Sequence, residues 1–179
     1  MKRLAALAQR LIRFKRARYG AVAVEFALLA IPFFWLTIGL AEITMIGFAQ
    51  TNLDFAMAET ARSIRTGAVQ AAGQSEQQFQ TAICARLNSL MTMHCANLYL
   101  DVDSYEGFID VRNASPVAAN GSLNTAQFGF SPGDASDIVL VRGFYRWEVL
   151  TPLFQDLFSN VDGSKRLLTS TILFRNEPF

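Results

Sequence analysis

Two places in this sequence combine residue types and spacings that could do chemistry, and the first is a carboxylate at the start of an apolar run. Glu25 lies five residues after Gly20, and a long apolar segment follows it. A charged side chain costs about 2.5–3.5 kcal/mol at the centre of a membrane-spanning helix and less near its ends, so Glu25 calls for a partner. If the chain is cut after Gly20, Ala21 gains an α-ammonium group with a pKa of about 8. Glu25 of one copy could then pair with Ala21 of a neighbouring copy, although a Glu25 solvated at the headgroup level is an equally simple interpretation.

The second place contains the two cysteines, Cys84 and Cys95, together with His94, the one histidine of the chain. A disulfide between cysteines eleven residues apart requires the chain to turn back, and closing so short a loop stabilises the fold by roughly 3 kcal/mol. A catalytic Cys95 would need His94 as its base, but adjacent residues rarely present their side chains to each other. A zinc site needs more ligands than these three residues readily supply. We therefore expect a disulfide, with free structural thiols as the main alternative.

The remaining acidic residues do not form a recognisable catalytic or metal-binding pattern. Asp101, Asp103 and Asp110 lack the glycine and the terminal glutamate of a calcium-binding loop, so we expect Asp101 and Asp103 on a solvated strand face. The sequence has no plausible Ser-His-Asp set, no phosphate-binding loop after a strand and no obvious carboxylate pair. We expect no enzyme activity, no cofactor, no metal and no small-molecule substrate.

The apolar run is long enough to cross a membrane. Sixteen uncharged residues separate Glu25 from Glu42, and a helix over residues 21–48 would be about 42 Å long, against a hydrocarbon core of about 30 Å. Residues 1–20 hold seven of the sixteen basic residues and no acid, which leaves a net charge of −6 on the remainder. Basic residues before a span stay in the cytoplasm, so the C-terminal part is expected across the membrane. This arrangement disfavours nucleic-acid binding. A conventional signal peptide is also disfavoured, because the apolar run is not followed by a small-x-small cleavage site.

Beyond the apolar run, the pattern becomes that of an amphipathic helix. Apolar residues recur every three or four positions up to Gly67, which is a suitable stop signal: Ile46, Ala49, Leu53, Met57, Ala61 and Ile64. We therefore predict three parts: a leader over residues 1–20, one helix over 21–66, and an outer domain over 67–179. The first half of the helix would span the membrane, and its amphipathic second half would be the spine on which the outer domain packs.

The outer domain is predicted to be α+β with a small antiparallel sheet. A capping box at Ser75 and Gln78 begins a second helix over about 75–91, after a loop over 68–74. The apolar stripe of this helix is Phe79, Ile83, Leu87 and Leu90. Alternation predicts strands over 98–103, 137–150 and 166–175, a hairpin partner over 107–111 and a short turn or helix over 153–158. Phe128 and Phe130 lie in a long polar loop over 113–136, where they either pack on the core or contact a partner.

Gly20 with Glu25 and Phe26 resembles the processing site of the Flp, or type IVb, pilins. The string Gly-Ala-Val-Ala-Val-Glu-Phe-Ala-Leu at residues 20–28, with Pro32 soon after, is similar to that of TadE-like minor pseudopilins of tight-adherence pilus systems. The C-terminal part also resembles this group in Tyr-Arg-Trp at 145–147, Leu-Thr-Pro-Leu at 150–153 and Phe-Arg-Asn-Glu-Pro at 174–178.

This resemblance implies a pilin-like fold and a processed subunit of a pilus assembly. A prepilin peptidase would remove residues 1–20 by cutting between Gly20 and Ala21, and Glu25 and Phe26 would serve recognition and packing. The partners would be other pilins or pseudopilins and the pilus assembly platform, with a single span in the bacterial inner membrane and a periplasmic domain. The alternative is an unprocessed single-pass anchor carrying a periplasmic binding domain, which differs in its mature N-terminus.

Overall fold

The computed structural model describes residues 20–111, 115–118, 121–161 and 163–179. Residues 1–19 of the predicted leader lie outside the described residues. The chain divides into two compact units, Met1–Ala41 and Glu42–Phe179, and each is described by itself. Helix α1, Ala21–Arg65, begins in the first unit and ends in the second.

The described part of the first unit is helical from Ala21 onward. Pro32 lies inside α1 without ending it. Proline has no N–H to donate, so one intrahelical bond is missing at this point, a loss that membrane helices tolerate. Nearly all apolar side chains of this segment are exposed, among them Val24, Phe26 and Leu36. By length and composition, α1 contains one stretch that could span a membrane.

In the second unit, α1 is the spine of the core. The six apolar residues predicted to share one face are all buried: Ile46, Ala49, Leu53, Met57, Ala61 and Ile64. Gly67 follows the helix with φ 76°, a left-handed conformation that glycine adopts without a steric penalty. The predicted end of the helix is thereby confirmed.

Two further helices precede the sheet. The segment predicted as a loop contains one short helix, α2 (Ala68–Ala71), because the chain turns after Gly67 and buries Val69. Helix α3 spans Glu76–Leu90 and begins with the predicted capping box, in which the Ser75 N–H donates to Gln78 Oε1 at 2.9 Å. Its predicted apolar stripe is fully buried at Phe79, Ile83 and Leu87, and the side chain of Leu90 lies outside the described set.

Three antiparallel strands form one sheet in the order β1-β2-β3, which confirms the α+β class. They are β1 (Leu98–Tyr105), β2 (Ile138–Glu148) and β3 (Lys165–Arg175). The hairpin predicted over 107–111 was wrong: Phe108–Asp110 is a 3₁₀ turn, and β2 pairs with β1 instead. Five residues with exposed Phe108 and Ile109 cannot cover β1, whereas β2 is long and nearly all its residues are buried. The short helix α4, Gln155–Phe158, lies in the segment predicted as a turn or helix.

One face of the sheet packs on α1 and α3, and Gly143 lies at a close approach of β2 to α1. A Cβ atom built on Gly143 would lie 2.7 Å from Met57 Sδ, so the absence of a side chain there lets the strand approach the helix. Val139 and Val141 of β2 and Leu100 of β1 belong to the same core cluster.

The second face of the sheet is covered by the long loop. Phe128 stacks on Phe144 of β2 on this face, with ring centroids 5.1 Å apart, whereas Phe130 packs against the core cluster on the helix side of the sheet, 5.6 Å from Phe79 of α3. Backbone bonds join Val102 N–H to the Gly129 carbonyl at 2.9 Å and Ser131 N–H to the Val102 carbonyl at 2.7 Å. Of the two interpretations of Phe128 and Phe130, packing on the core is therefore the one confirmed.

Candidate functional site

The segment that carried the resemblance lies at the start of α1. Gly20 directly precedes the helix, and no atom of the described residues lies within 4 Å of a Cβ atom built on it. Ala21 is the first helical residue. Both residues, and Glu25 and Phe26 one turn later, are exposed in the described part of the chain. Glu25 forms no hydrogen bond or ion pair with another described residue.

The surface beyond Glu25 is almost entirely apolar. Phe26 is 69% exposed, and Leu29, Phe33 and Leu36 are exposed to a similar extent. So much exposed apolar surface on a helix is typical of a segment covered by lipid or by other helices. Thr37, a polar residue in this stretch, donates its hydroxyl to the Phe33 carbonyl at 2.8 Å and so satisfies it within the helix.

The carboxylate at the other end of the apolar run has its partners inside the second unit. Glu42 is 4% exposed. Its Oε1 accepts from the Leu150 N–H at 3.0 Å, and its Oε2 accepts from the Thr151 hydroxyl at 2.9 Å. Sequence reasoning used Glu42 only to mark the end of the apolar run. The Thr-Pro step at 151–152 belongs to the C-terminal motif that resembles the TadE-like group, and nothing in the sequence pairs it with a residue more than a hundred positions away.

The second face of the sheet, which the long loop covers, contains a buried ion pair. Asp101 is fully buried, and its Oδ2 accepts from Arg142 Nη2 and, at 3.0 Å, from Arg142 Nε. Its Oδ1 accepts from the Gly129 N–H at 3.0 Å. The expected solvated strand face was therefore wrong for Asp101, because the loop that carries Phe128 and Gly129 covers it.

Asp103 lies on the same face of β1 and is only partly exposed. Burial and the neighbouring Asp101 carboxylate raise the pKa of Asp103 above its ordinary value, although the Arg142 guanidinium, 4.0 Å away, opposes this shift. This face of the sheet therefore combines two carboxylates with one guanidinium. Asp101, the more buried of the two, accepts hydrogen bonds from both Arg142 and Gly129, whereas Asp103 lies 4.0 Å from Arg142.

A disulfide joins Cys84 of α3 to Cys95, the pairing expected from the sequence. Asn88 holds the reversal of the chain that brings them together. Its Oδ1 accepts from the Met93 N–H at 2.9 Å, and its Nδ2 donates to the Cys84 carbonyl at 3.1 Å. His94 is exposed beside this bridge. Within the described residues, no group of three or more His, Cys, Asp or Glu side chains is placed to hold a metal ion.

Within the described residues, these features define a class of protein in which one apolar helix could span a membrane and the continuation of that helix supports an α+β domain. Residues 20–62 match the family model described as TadE-like protein. The resemblance seen in residues 20–28 is thereby confirmed, consistent with a TadE-like protein of Tad pilus systems. The match begins at Gly20, and the C-terminal motifs at 145–153 and 174–178 lie outside it. No curated protein and no solved structure matches the chain significantly.

Proposed function

We propose that this chain is a minor pilin-like subunit, a pseudopilin, of a Tad/Flp type IV pilus system. The observation that carries the proposal is the family match that begins at Gly20, the residue after which processing is expected. In this proposal residues 1–20 are a cytoplasmic leader, residues 21–66 form the span and spine, and residues 67–179 form a periplasmic domain. The family is a structural kind of protein, and the proposed role is assembly rather than catalysis.

Processing between Gly20 and Ala21 is supported by the local geometry. The bond lies at the boundary where α1 begins, and Gly20 is exposed, with no other described residue close to the position of a Cβ atom on it. A peptidase must bind several residues in an extended form, and the first turn of a helix is the part most easily opened. The basic leader would hold this site at the cytoplasmic surface of the inner membrane.

Glu25 then acquires its partner from a neighbouring subunit. Cleavage creates an ammonium group at Ala21, and four residues of helix place it about 6 Å along the axis from Glu25. Two copies shifted by roughly one helical turn bring the ammonium of one beside the carboxylate of the other. At about 4 Å and an effective dielectric of about 20, this attraction is roughly 4 kcal/mol, enough to select one axial register. Phe26 would pack beside the pair.

The first experiment determines the mature N-terminus. Full-length protein is purified from membranes of cells with and without the cognate prepilin peptidase, and each sample is analysed by N-terminal sequencing and intact mass. An Ala21 start that depends on the peptidase is expected. A Met1 start in both samples would contradict processing and favour the unprocessed membrane-anchored module.

A second experiment separates processing from assembly. Glu25→Gln removes the charge but keeps the size of the side chain, so we expect a variant that is cleaved yet fails to support piliation. Thr37→Val is a matched control, because it changes an exposed polar residue of the same helix segment whose hydroxyl bonds only within the helix. Normal piliation in the Glu25→Gln strain would show that the ammonium–carboxylate pair is not needed.

A further inference from the structure

The exposed surface of α1 remains uncharged well past the residue that ends the apolar run in the sequence. Between Glu25 and Asp54 the chain contains one charged residue, Glu42. Its carboxylate is buried and accepts two hydrogen bonds from residues 150 and 151. The surface of α1 that faces outward therefore presents no charge from Phe26 to Leu53.

Apolar side chains occupy much of this continued surface in the second unit. Ile43 is 52% exposed, Met45 39% and Phe48 48%. The sixteen residues from Phe26 to Ala41 cover only about 24 Å, which is less than the ~30 Å of a hydrocarbon core. A bilayer around α1 must therefore extend beyond one or both ends of this run, and residues 43–48 offer larger apolar side chains than the alanines and valines before Glu25.

The segment that begins at the residues bonded to Glu42 exposes three leucines. Leu150, whose N–H binds the Glu42 carboxylate, is 60% exposed, and Leu153 and Leu157 are 68% and 66% exposed. Residues 153 and 157 are four apart in the helical stretch over 152–158, a spacing that places them on one side of a helical turn. Phe154 anchors this stretch, because it is 2% exposed and stacks on Phe158 with ring centroids 5.4 Å apart.

We propose that Leu150, Leu153 and Leu157 form a membrane-contact patch that inserts into the surface of the bilayer from which α1 emerges. The Glu42 hydrogen bonds join the start of this segment, at Leu150 and Thr151, directly to α1, and this attachment to the helix that could span the membrane selects lipid as the occupant of the patch. Asp156 is exposed between two of the leucines, which places the patch at the headgroup level rather than deep in the hydrocarbon. The inference rests on the proposed function only in requiring α1 to span the membrane.

The test measures the depth of single positions in full-length protein. The native cysteines are joined in a disulfide, so a cysteine introduced by Leu153→Cys or Leu157→Cys can carry a spin label alone. The protein is reconstituted in nanodiscs of phosphatidylethanolamine and phosphatidylglycerol, at one copy per disc. Collision of each label with oxygen, which concentrates in lipid, is compared with collision with a water-soluble nickel chelate.

Two matched positions calibrate the measurement. Leu36→Cys reports the span, and Ile109→Cys reports water, since Ile109 is 98% exposed just beyond the end of β1 that lies farthest from Leu150. The eleven residues of β2 separate these two ends by about 35 Å. We expect labels at 153 and 157 to favour oxygen, as the label at 36 does, and the label at 109 to favour nickel.

Each other outcome overturns the proposal in a distinguishable way. Labels at 153 and 157 that match 109, while 36 remains in lipid, would refute the patch and leave the proposed function intact. Labels at 153 and 157 that neither reagent reaches would indicate a protein covering. A label at 36 that collides freely with nickel would refute the span itself, and the patch and the proposed function with it.

Discussion

Replacement of the buried Asp101 by asparagine should destabilise the outer domain more than any other single charge change on the sheet. Asp101→Asn keeps the shape and an acceptor for the Gly129 N–H, but it leaves the Arg142 guanidinium without its carboxylate. Asp101 is fully buried, and the Arg142 side chain is 8% exposed, so solvent cannot replace the lost charge. Removal of one partner of such a buried pair typically costs 3–5 kcal/mol.

The magnitude can be separated from generic effects of charge loss with two further variants. Asp103→Asn removes a carboxylate from the same face at 4.0 Å from Arg142, but that side chain is 38% exposed, so we expect a change of less than about 1 kcal/mol. The double variant Asp101→Leu with Arg142→Met replaces both charges by apolar groups of similar size. It should recover most of the stability lost in Asp101→Asn, because no buried charge remains unpaired.

Urea unfolding of the full-length protein in detergent micelles measures the effect, with near-ultraviolet circular dichroism reporting on the aromatic core. With a slope of about 2 kcal/mol per M, a loss of 3–5 kcal/mol lowers the midpoint by about 1.5–2.5 M. A shift of Asp101→Asn no larger than that of Asp103→Asn would refute the reasoning. It would mean that water or a movement of the loop compensates the guanidinium.

Three further predictions use other contacts of the outer domain. Gly143→Ala places a methyl group 2.7 Å from Met57 Sδ and should cost about 1–3 kcal/mol in urea unfolding, and the double variant with Met57→Ala should lose less stability than the sum of the two single variants. Because the pKa of Asp103 is raised in the folded state, ionisation of this carboxyl opposes folding, and Asp103→Asn should increase the stability slightly at pH 7. The increase should vanish as the pH falls below the ordinary aspartate range, which urea unfolding at a series of pH values would show. Replacing Cys84 and Cys95 together by serine opens an eleven-residue loop and should cost roughly 3 kcal/mol, whereas an unchanged midpoint would indicate that Asn88 alone holds the chain reversal.

The parts of the fold that were predicted correctly depend on short-range patterns. The buried stripe of α1 from Ile46 to Ile64 follows the helical period, and the capping box at Ser75 involves residues only three apart. Gly67 ends the helix for a reason that is local to its own backbone. Such signals can be read from the sequence because the residues that carry each pattern are near neighbours in the chain.

The errors concern partners that are distant in sequence. Asp101 reads as a solvated residue because it alternates with apolar neighbours, and only the pairing of β1 with β2 brings Arg142 beside it. The hairpin over 107–111 was favoured because it is nearby, but the register is set by the burial of β2 on both faces. Local propensity cannot choose among strands when the decisive contribution is the core that forms around them.

The two carboxylates that flank the apolar run show how the same residue type takes different roles in one helix. Glu42 is satisfied within its own chain by Leu150 and Thr151, so its charge fixes the outer segment to α1 and leaves the exposed helix surface apolar. Glu25 is exposed in the described part of the chain, in a region whose surface is otherwise suited to lipid or to other helices. A carboxylate in such surroundings is stabilised by a nearby cation, and we propose that a neighbouring helix supplies it. Glu42 therefore acts within the single chain, whereas in the proposed assembly Glu25 acts between neighbouring chains.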